Sequence, residues 1–184
     1  MKETGDNDIM ERVKTGHLDD LSLLYDRYQS QLMGFFVGMT QDREQSADLV
    51  QNVFYRILKY RAQFKGGQFK TWMFHIARNV HRDSYKRKKI TMTGSLEDYK
   101  EIIADHFESD GNLYRNEQLS LLNKAMNALT EDKREILLLS KYQEKNYKEI
   151  GDILGCNEGA VKVRVFRALN DLRSLYMQYQ NETV

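Results

Sequence analysis

Apolar residues recur along this chain at the three- and four-residue intervals that place them on one side of an α-helix. The pattern predicts helices over residues 18–38, 42–60, 71–88, 116–129 and 132–142, followed by two more in the last third of the chain. Proline, which interrupts helices, is absent from all 184 positions. The sequence therefore predicts an all-α protein.

Residues 147–173 contain two helical stretches that are separated by Gly155, Cys156 and Asn157. Gly155 favours a tight turn, because glycine adopts left-handed backbone conformations at little cost. Asn157 is a good N-cap for the helix that follows. This arrangement is typical of a helix-turn-helix, a motif that places its second helix in the major groove of duplex DNA.

The second helix of this motif has an apolar side and a basic side. Lys162 and Arg167 can reach guanine edges or phosphates, and Val163 or Phe166 can contact a thymine methyl group. Arg164 lies on the flank. An ordinary amphipathic helix with a solvated charged side is the alternative interpretation. The apolar stripe, at about 100° per residue, consists of Val161, Val165, Ala168 and Leu172, with Leu169 at its edge.

The net charge is only +1, but acidic and basic residues are segregated along the chain. Residues 1–50 carry 5 basic and 10 acidic side chains, whereas residues 51–89 carry 11 basic side chains and a single acidic one. Residues 97–117 carry 2 basic and 7 acidic side chains. The central basic block is typical of proteins that bind a phosphate backbone, although a solvated helix face is the alternative.

Aromatic residues are interleaved with the basic block. Rings stack on unpaired bases while cations contact phosphates, a combination that is typical of single-stranded DNA binding. Gln68, Thr71 and Asn79 are polar candidates for reading the edge of a base that has left the stack. The rings and nearby cations are Tyr60, Phe64, Phe69, Trp72, Phe74 and Tyr85, beside Lys65, Lys70, Arg78 and Arg82.

The alternative for these rings is a place in a hydrophobic core. We expect that place for at least one of Trp72 and Phe74. Phe64 and Phe69, which flank two loop glycines, are harder to explain as core residues. They are therefore the stronger candidates for contact with DNA.

The stretch 42–60 is apolar on two sides. Leu49 and Val53 lie apart from a broad apolar side that is formed by Ala47, Val50, Phe54, Ile57 and Leu58. Because one small core does not need that much apolar surface, the pattern predicts a protein partner on this helix.

Residues 90–117 are acidic, poorly periodic and dotted with glycine and serine, which predicts a linker. The linker separates one small helical domain, residues 1–89, from a second, residues 118–184, that contains the helix-turn-helix. We expect the tail after Leu175 to fray.

Catalytic and metal-site patterns are weak. His81, Arg82 and Asp83 match the tripeptide of a kinase catalytic loop, but the accompanying glycine-rich loop and asparagine are missing. The four histidines lack metal-ligand spacing, and the single cysteine, Cys156, excludes an internal disulfide and a cysteine-based zinc site. We therefore expect no enzyme activity, no metal and no cofactor.

The N-terminal residues lack the apolar core of a signal peptide, and no apolar run approaches membrane-spanning length. We therefore expect a cytoplasmic protein that does not insert into a membrane.

From about residue 18 to residue 173 the chain resembles bacterial RNA polymerase sigma factors of the extracytoplasmic-function group. Five motifs in the family's order carry the resemblance, namely LLYDRY, DREQSADLVQNVFYRI, FKGGQFKTWMFHIARN, LTEDKREILLL and YKEIGDILGCNEGAVKVRVFRAL. The resemblance implies a protein that binds core RNA polymerase and directs promoter-specific initiation. It also implies that an anti-sigma factor is a candidate partner.

The resemblance further implies roles for individual residues. Polymerase binding would involve Asp48, Leu49, Gln51, Asn52, Val53 and Phe54. The promoter −10 element would be read and opened by Phe64, Lys65, Gln68, Phe69, Lys70, Thr71 and Trp72, with Arg78, Asn79 and Arg82 behind them. The −35 element would be read as duplex by Lys162, Val163, Arg164, Phe166 and Arg167.

The chain departs from the family pattern at four places, one of which is Thr130 and Glu131 in place of a common proline pair. Asn52 stands where glutamate is usual, Gly151 where alanine is usual, and Val163 where serine is frequent. These differences leave the promoter sequence undetermined. Two other classes stay open from the residues alone: a stand-alone helix-turn-helix regulator, and a helical adaptor that binds no nucleic acid.

Overall fold

The computed structural model describes residues 5–92, 113–142, 144 and 146–182, and of residues 88–92 and 113–116 it describes the backbone alone. Every regular element in these ranges is helical, which confirms the all-α prediction. No helix within them is long and apolar enough to cross a membrane. The elements are α1 (Asp6–Lys14), α2 (Leu21–Thr40), α3 (Arg43–Lys59), α4 (Phe69–Met92), α5 (Leu113–Ala128), α6 (Glu131–Tyr142), α7 (Tyr147–Leu154) and α8 (Glu158–Glu182), with 3-10 turns at Leu18–Asp20 and Arg61–Gln63.

The chain divides into two compact units, formed mainly by residues 1–98 and by residues 99–184. In the first unit, α2, α3 and α4 pack around buried aromatic side chains. The ring centroid of Phe35 lies 5.4 Å from that of Phe36 and 5.7 Å from that of Phe74, both in edge-on geometry. Edge-on pairs of this kind contribute about 0.5–1.5 kcal/mol beyond the burial of their area. Phe74 is thus a core residue, as we expected for at least one of Trp72 and Phe74.

Helix α1 is an element that the hydrophobic pattern did not single out. Ile9, Met10 and Val13 share one side of it, and all three are fully buried. Asp6 accepts hydrogen bonds from the guanidinium of Arg27 and the hydroxyl of Tyr28, which fixes the beginning of α1 to α2. The helical spacing of these three apolar residues was present in the sequence, but a nine-residue helix has too few turns for a period to be recognised.

Helix α3 buries most residues on both of its apolar sides, although Ala47 is exposed and Leu58 is partly buried. The predicted bare apolar surface for a protein partner is therefore wrong. Leu49 and Val53 are 5% and 0% exposed, and Phe54 is 6% exposed. The physical reason is that α3 lies between α2 and α4, so that each apolar side meets a different neighbour in the same core. Two apolar sides therefore indicate a central helix in this unit.

The second unit is built on α8, which packs against both α5 and α6. Val161, Val165 and Ala168 of α8 are buried, as the helical stripe predicted. The expected fraying after Leu175 is wrong, because α8 continues to Glu182. Its end is held against α5, where the ammonium of Lys124 lies 4.2 Å from the ring centroid of Tyr179.

A partly buried arginine joins α5 to α6. The guanidinium of Arg134 donates to the carbonyl oxygens of Met126 (3.0 Å), Asn127 (2.6 Å) and Leu129 (3.0 Å) around the end of α5, where the last carbonyls of a helix lack partners within it. Burial lowers the pKa of Arg134 below its ordinary value, and nearby Glu131 partly offsets this effect. A cation that donates hydrogen bonds to the last carbonyls of a helix is also stabilised by the negative end of the helix dipole.

The helices overlap the ends of the predicted linker. Helix α4 continues to Met92, and α5 begins at Leu113, so both enter the stretch 90–117. The remainder of that stretch, residues 93–112, lies outside the described residues.

Candidate nucleic-acid interfaces

The turn between α7 and α8 has the geometry that the sequence predicted. Gly155 adopts a φ of +71°, and the side-chain oxygen of Asn157 accepts from the backbone N–H of Ala160 at 2.8 Å, as an N-cap does. Gly151 also has a structural role, because a Cβ at this position would lie 2.5 Å from the carbonyl oxygen of Cys156. The glycine therefore allows α7 to approach the turn closely.

The outward side of α8 combines cations with exposed apolar groups. Phe166 is 66% exposed and Val163 is 48% exposed, and Lys162, Arg164 and Arg167 are exposed as well. These five side chains are the ones that the sequence assigned to the −35 element. Exposed apolar groups among cations suit base-edge contacts in a groove, because thymine methyl groups need apolar partners.

Lys162 is paired within this surface. Its ammonium lies 2.7 Å from a carboxylate oxygen of Glu158, one helical turn earlier. The hydrogen bond from Lys162, together with its charge, lowers the pKa of Glu158, and the same pair raises the pKa of Lys162. Both groups are exposed, so the ammonium can exchange this carboxylate for a DNA phosphate at little cost.

The loop between α3 and α4 is built on two buried rings, which corrects the sequence prediction for them. Phe64 and Phe69 are each only 1% exposed, so they are core residues and do not offer their faces to a base. They flank the loop because the chain must leave the core and return to it there. Trp72 packs on both, with centroid distances of 5.3 Å to Phe64 and 6.3 Å to Phe69.

Trp72 lies next to the loop and, unlike Phe64 and Phe69, is only partly buried. The loop residues Lys65 and Gln68 are exposed. Between them, Gly66 and Gly67 adopt φ values of +83° and +88°, conformations that residues with a side chain rarely take. Two consecutive glycines thus let the loop turn outward beside Trp72.

The basic side of α4 continues from this loop. Asn79 and Arg82 are exposed, whereas Lys70 and Arg78 are partly buried. The Asn79 amide lies 3.3 Å from Nδ1 of His75. The hydroxyl of Thr71 is buried and has no hydrogen-bond partner within the described residues. Of the polar candidates for reading a base edge, Gln68 and Asn79 are thus the accessible ones.

The outward side of α3 is polar apart from Ala47 and one ring. Asp48 and Gln51 are exposed, and Tyr55, which sequence reasoning missed, is 63% exposed. Asn52 accepts from Nε of Arg56 at 3.1 Å, and Arg56 in turn donates to Asp83 at 2.8 Å. Asp83, the last residue of the kinase-like tripeptide, therefore takes part in an ion pair between α3 and α4.

Two further features bear on binding. An open groove between α5 and α8 exposes apolar side chains, and its lining includes Leu119, Leu122, Leu169, Leu172 and Tyr176.

Among the described residues, no group of three or more histidine, cysteine, aspartate or glutamate side chains is arranged to hold a metal ion.

Comparison with known proteins identifies the family. The model of sigma-70 region 2 matches residues 24–90, and the model of sigma-70 region 4 matches residues 119–172. The RNA polymerase sigma factor CarQ of Myxococcus xanthus is 30% identical over 176 residues, which cover 94% of this chain and 98% of that protein. The chain belongs to the extracytoplasmic-function sigma factors of bacterial RNA polymerase. It is therefore a promoter-directing initiation factor, in a family whose members are not enzymes.

Other sigma factors extend this likeness over most of the chain. The sigma factor SigM of Bacillus subtilis is 28% identical, with 86% of this chain and 96% of that protein aligned. Among solved structures, the sigma factor RpoE of Bartonella quintana, crystallised with the anti-sigma factor NepR, superimposes with a TM-score of 0.73 at 27% identity. That match covers 85% of this chain and 96% of RpoE.

Proposed function

We propose that this sigma factor divides promoter recognition between its two units. Residues 1–89 bind core polymerase and the −10 element, residues 118–184 bind the −35 element, and residues 90–117 connect them. The contrast between the two surfaces supports this division. The outward side of α8 is shaped for a duplex groove, whereas the loop at 65–68 adjoins a partly exposed tryptophan that suits an unpaired base.

For the −35 element we propose contacts by Lys162, Val163, Arg164, Phe166 and Arg167. For the −10 element we propose direct contacts by Lys65, Gln68, Trp72, Asn79 and Arg82, with Lys70, Thr71 and Arg78 shaping the surface. Stacking contributes about 1–3 kcal/mol per base, so one or two captured bases offset a large part of the cost of unpairing. Nucleotidyl transfer belongs to the polymerase, and this factor acts beside it in the cytosol.

For polymerase binding we propose the outward side of α3, with Asp48, Gln51 and Tyr55 as its centre and Asn52 at its edge. An exposed tyrosine among polar groups supports this choice, because tyrosine is enriched among the residues that dominate the energy of protein interfaces. The groove between α5 and α8 is our candidate for a second polymerase contact. RpoE of Bartonella quintana is bound by an anti-sigma factor, and we propose that this chain has a partner of the same kind.

Transcription by purified core polymerase on a library of genomic fragments tests the function. With this protein we expect RNA starts at a small set of sites that share two spaced sequence elements. Core polymerase alone is the control. A stand-alone regulator would bind its DNA without polymerase and would add no new starts.

We expect Tyr55→Ala and Gln51→Ala each to reduce the free energy of binding to core polymerase by about 1–3 kcal/mol, which weakens co-purification. The melting temperature of both variants should stay close to that of wild type. Tyr85→Ala and Gln63→Ala are matched controls, because they remove the same side-chain types from exposed positions outside α3. Leu49→Ala should instead destabilise the first unit by about 2–5 kcal/mol, since it leaves a cavity in the core. Loss of polymerase binding by the controls, with binding retained by both α3 variants, would contradict the assignment.

A further inference from the structure

Helix α1 contacts both ends of the loop that the proposed function assigns to the −10 element. The side-chain oxygen of Asn7 accepts from the backbone N–H of Phe69, the first residue of α4, at 2.9 Å. The ammonium of Lys14 donates to the carbonyl oxygen of Phe64, just before the loop, at 2.8 Å. The four residues between Phe64 and Phe69 are thus fastened at each end by the same helix.

The contact from Asn7 is an N-cap supplied from another helix. The first N–H groups of a helix have no partner within it, and side-chain oxygens of asparagine are among the best substitutes. The contact from Lys14 serves the other end, where a main-chain carbonyl would otherwise lack a donor. Lys14 is partly buried and also lies 3.4 Å from Glu11, which limits the positions that its ammonium can take.

The anchors act on a loop that cannot hold its own shape. Gly66 and Gly67 have no side chains, both adopt positive φ, and a Cβ at either position would meet nothing within 4 Å. Each of these glycines loses more conformational entropy on ordering than any other residue type would. The shape of the loop therefore depends on where its two ends are held.

Helix α1 is itself rigidly placed. Its three buried side chains lie in the core, and Asp6 ties it to Arg27 and Tyr28 of α2. It precedes residues 24–90, the part of the chain that the region 2 family model matches. We propose that α1 is a positioning element for the −10 loop, with Asn7 and Lys14 as its positioning residues. This inference rests on the proposed function of that loop.

Trp72 provides a direct readout, because it is the only tryptophan in the chain and packs on Phe64 and Phe69. In full-length Asn7→Ala and Lys14→Met variants we expect stronger acrylamide quenching and a red-shifted emission of Trp72. We also expect affinity for a fork DNA with an unpaired −10 strand to fall by about three- to tenfold per variant, the loss typical of a missing cap. The fork carries the promoter that the transcription library identifies.

Matched variants separate positioning from a general effect on folding. Arg12→Met removes a cation from the same helix, but its partner is Asp20, away from the loop, so we expect wild-type fork affinity. Asn7→Asp and Lys14→Arg keep an acceptor and a donor, and should restore most of the lost affinity. Binding to −35 duplex DNA should be unchanged in every variant.

Two outcomes would overturn the inference. One is unchanged quenching of Trp72 in both variants; the other is a lower melting temperature with fork affinity equal to that of wild type. Failure of the wild-type chain to bind the fork overturns the −10 assignment itself, and the quenching of Trp72 then decides the positioning role alone.

Discussion

Replacing Trp72 with alanine is expected to abolish most promoter opening while leaving recognition of the −35 element intact. Trp72 lies beside the loop and is only partly buried, whereas Phe64 and Phe69 are in the core. Each stacked base contributes about 1–3 kcal/mol, so the loss corresponds to roughly five- to 150-fold in the population of the open state. Permanganate reactivity of unpaired thymines, measured on complexes with core polymerase, checks this expectation.

The same substitution removes contacts with Phe64 and Phe69, so its effect on folding must be measured beside it. Circular dichroism melting provides that measurement. Trp72→Phe keeps an aromatic face and should retain a substantial part of opening. Tyr85→Ala is the control, since it removes an exposed ring from the same helix about 20 Å further along its axis. Normal opening by a folded Trp72→Ala protein would show that another group captures the base.

The helix-turn-helix could be predicted in detail because its signals are local. The cap at Asn157, the left-handed turn at Gly155 and the buried stripe at Val161 and Val165 each follow from residues within one or two turns. Nothing distant has to be known to place them. The outward residues of α8 follow directly once the buried stripe is fixed, because helical geometry determines the opposite side.

The first unit was harder to predict from the sequence, because its packing brings together residues that are far apart along the chain. Two apolar sides on α3 are compatible with a bare partner surface or with a central helix, and only the positions of α2 and α4 decide between them. Likewise, the rings of Phe64 and Phe69 flank a glycine loop in sequence but lie in the core in space. Their place in the core depends on contacts with Trp72 and Tyr28, and Tyr28 lies more than forty residues before Phe69 in the sequence.

The contacts of α1 show the same limit most clearly. Asn7 caps a helix that begins 62 residues later, and Lys14 reaches a carbonyl 50 residues away. No period or motif in the sequence links such positions. The apolar triplet Ile9, Met10 and Val13 was the available signal that this segment belongs to a core.

The second large effect is expected for Arg167→Ala, which should weaken binding to the −35 duplex by about 1–3 kcal/mol, or roughly five- to 150-fold. Arg167 lies on the exposed side of α8, three residues after Arg164 and next to Phe166. An arginine there can donate two parallel hydrogen bonds to one guanine, or neutralise a phosphate. Fluorescence anisotropy with the cognate −35 duplex, together with run-off transcription, measures the loss.

Arg167→Lys distinguishes the two kinds of contact, because lysine keeps the charge but lacks the planar fork that binds a guanine edge. A guanine contact predicts that lysine is nearly as poor as alanine and that discrimination at one base pair is lost. A phosphate contact predicts near-normal affinity for Arg167→Lys, and for alanine a shallower dependence on salt for every sequence. Arg173→Ala is the matched control in the duplex-binding assay alone. It removes the same charge from an exposed position about 120° around the axis of α8, but Arg173 lines the groove between α5 and α8 that we propose for polymerase binding. Equal affinity and equal transcription for wild type and Arg167→Ala would remove Arg167 from the recognition surface, and the other four outward residues of α8 would then read this element.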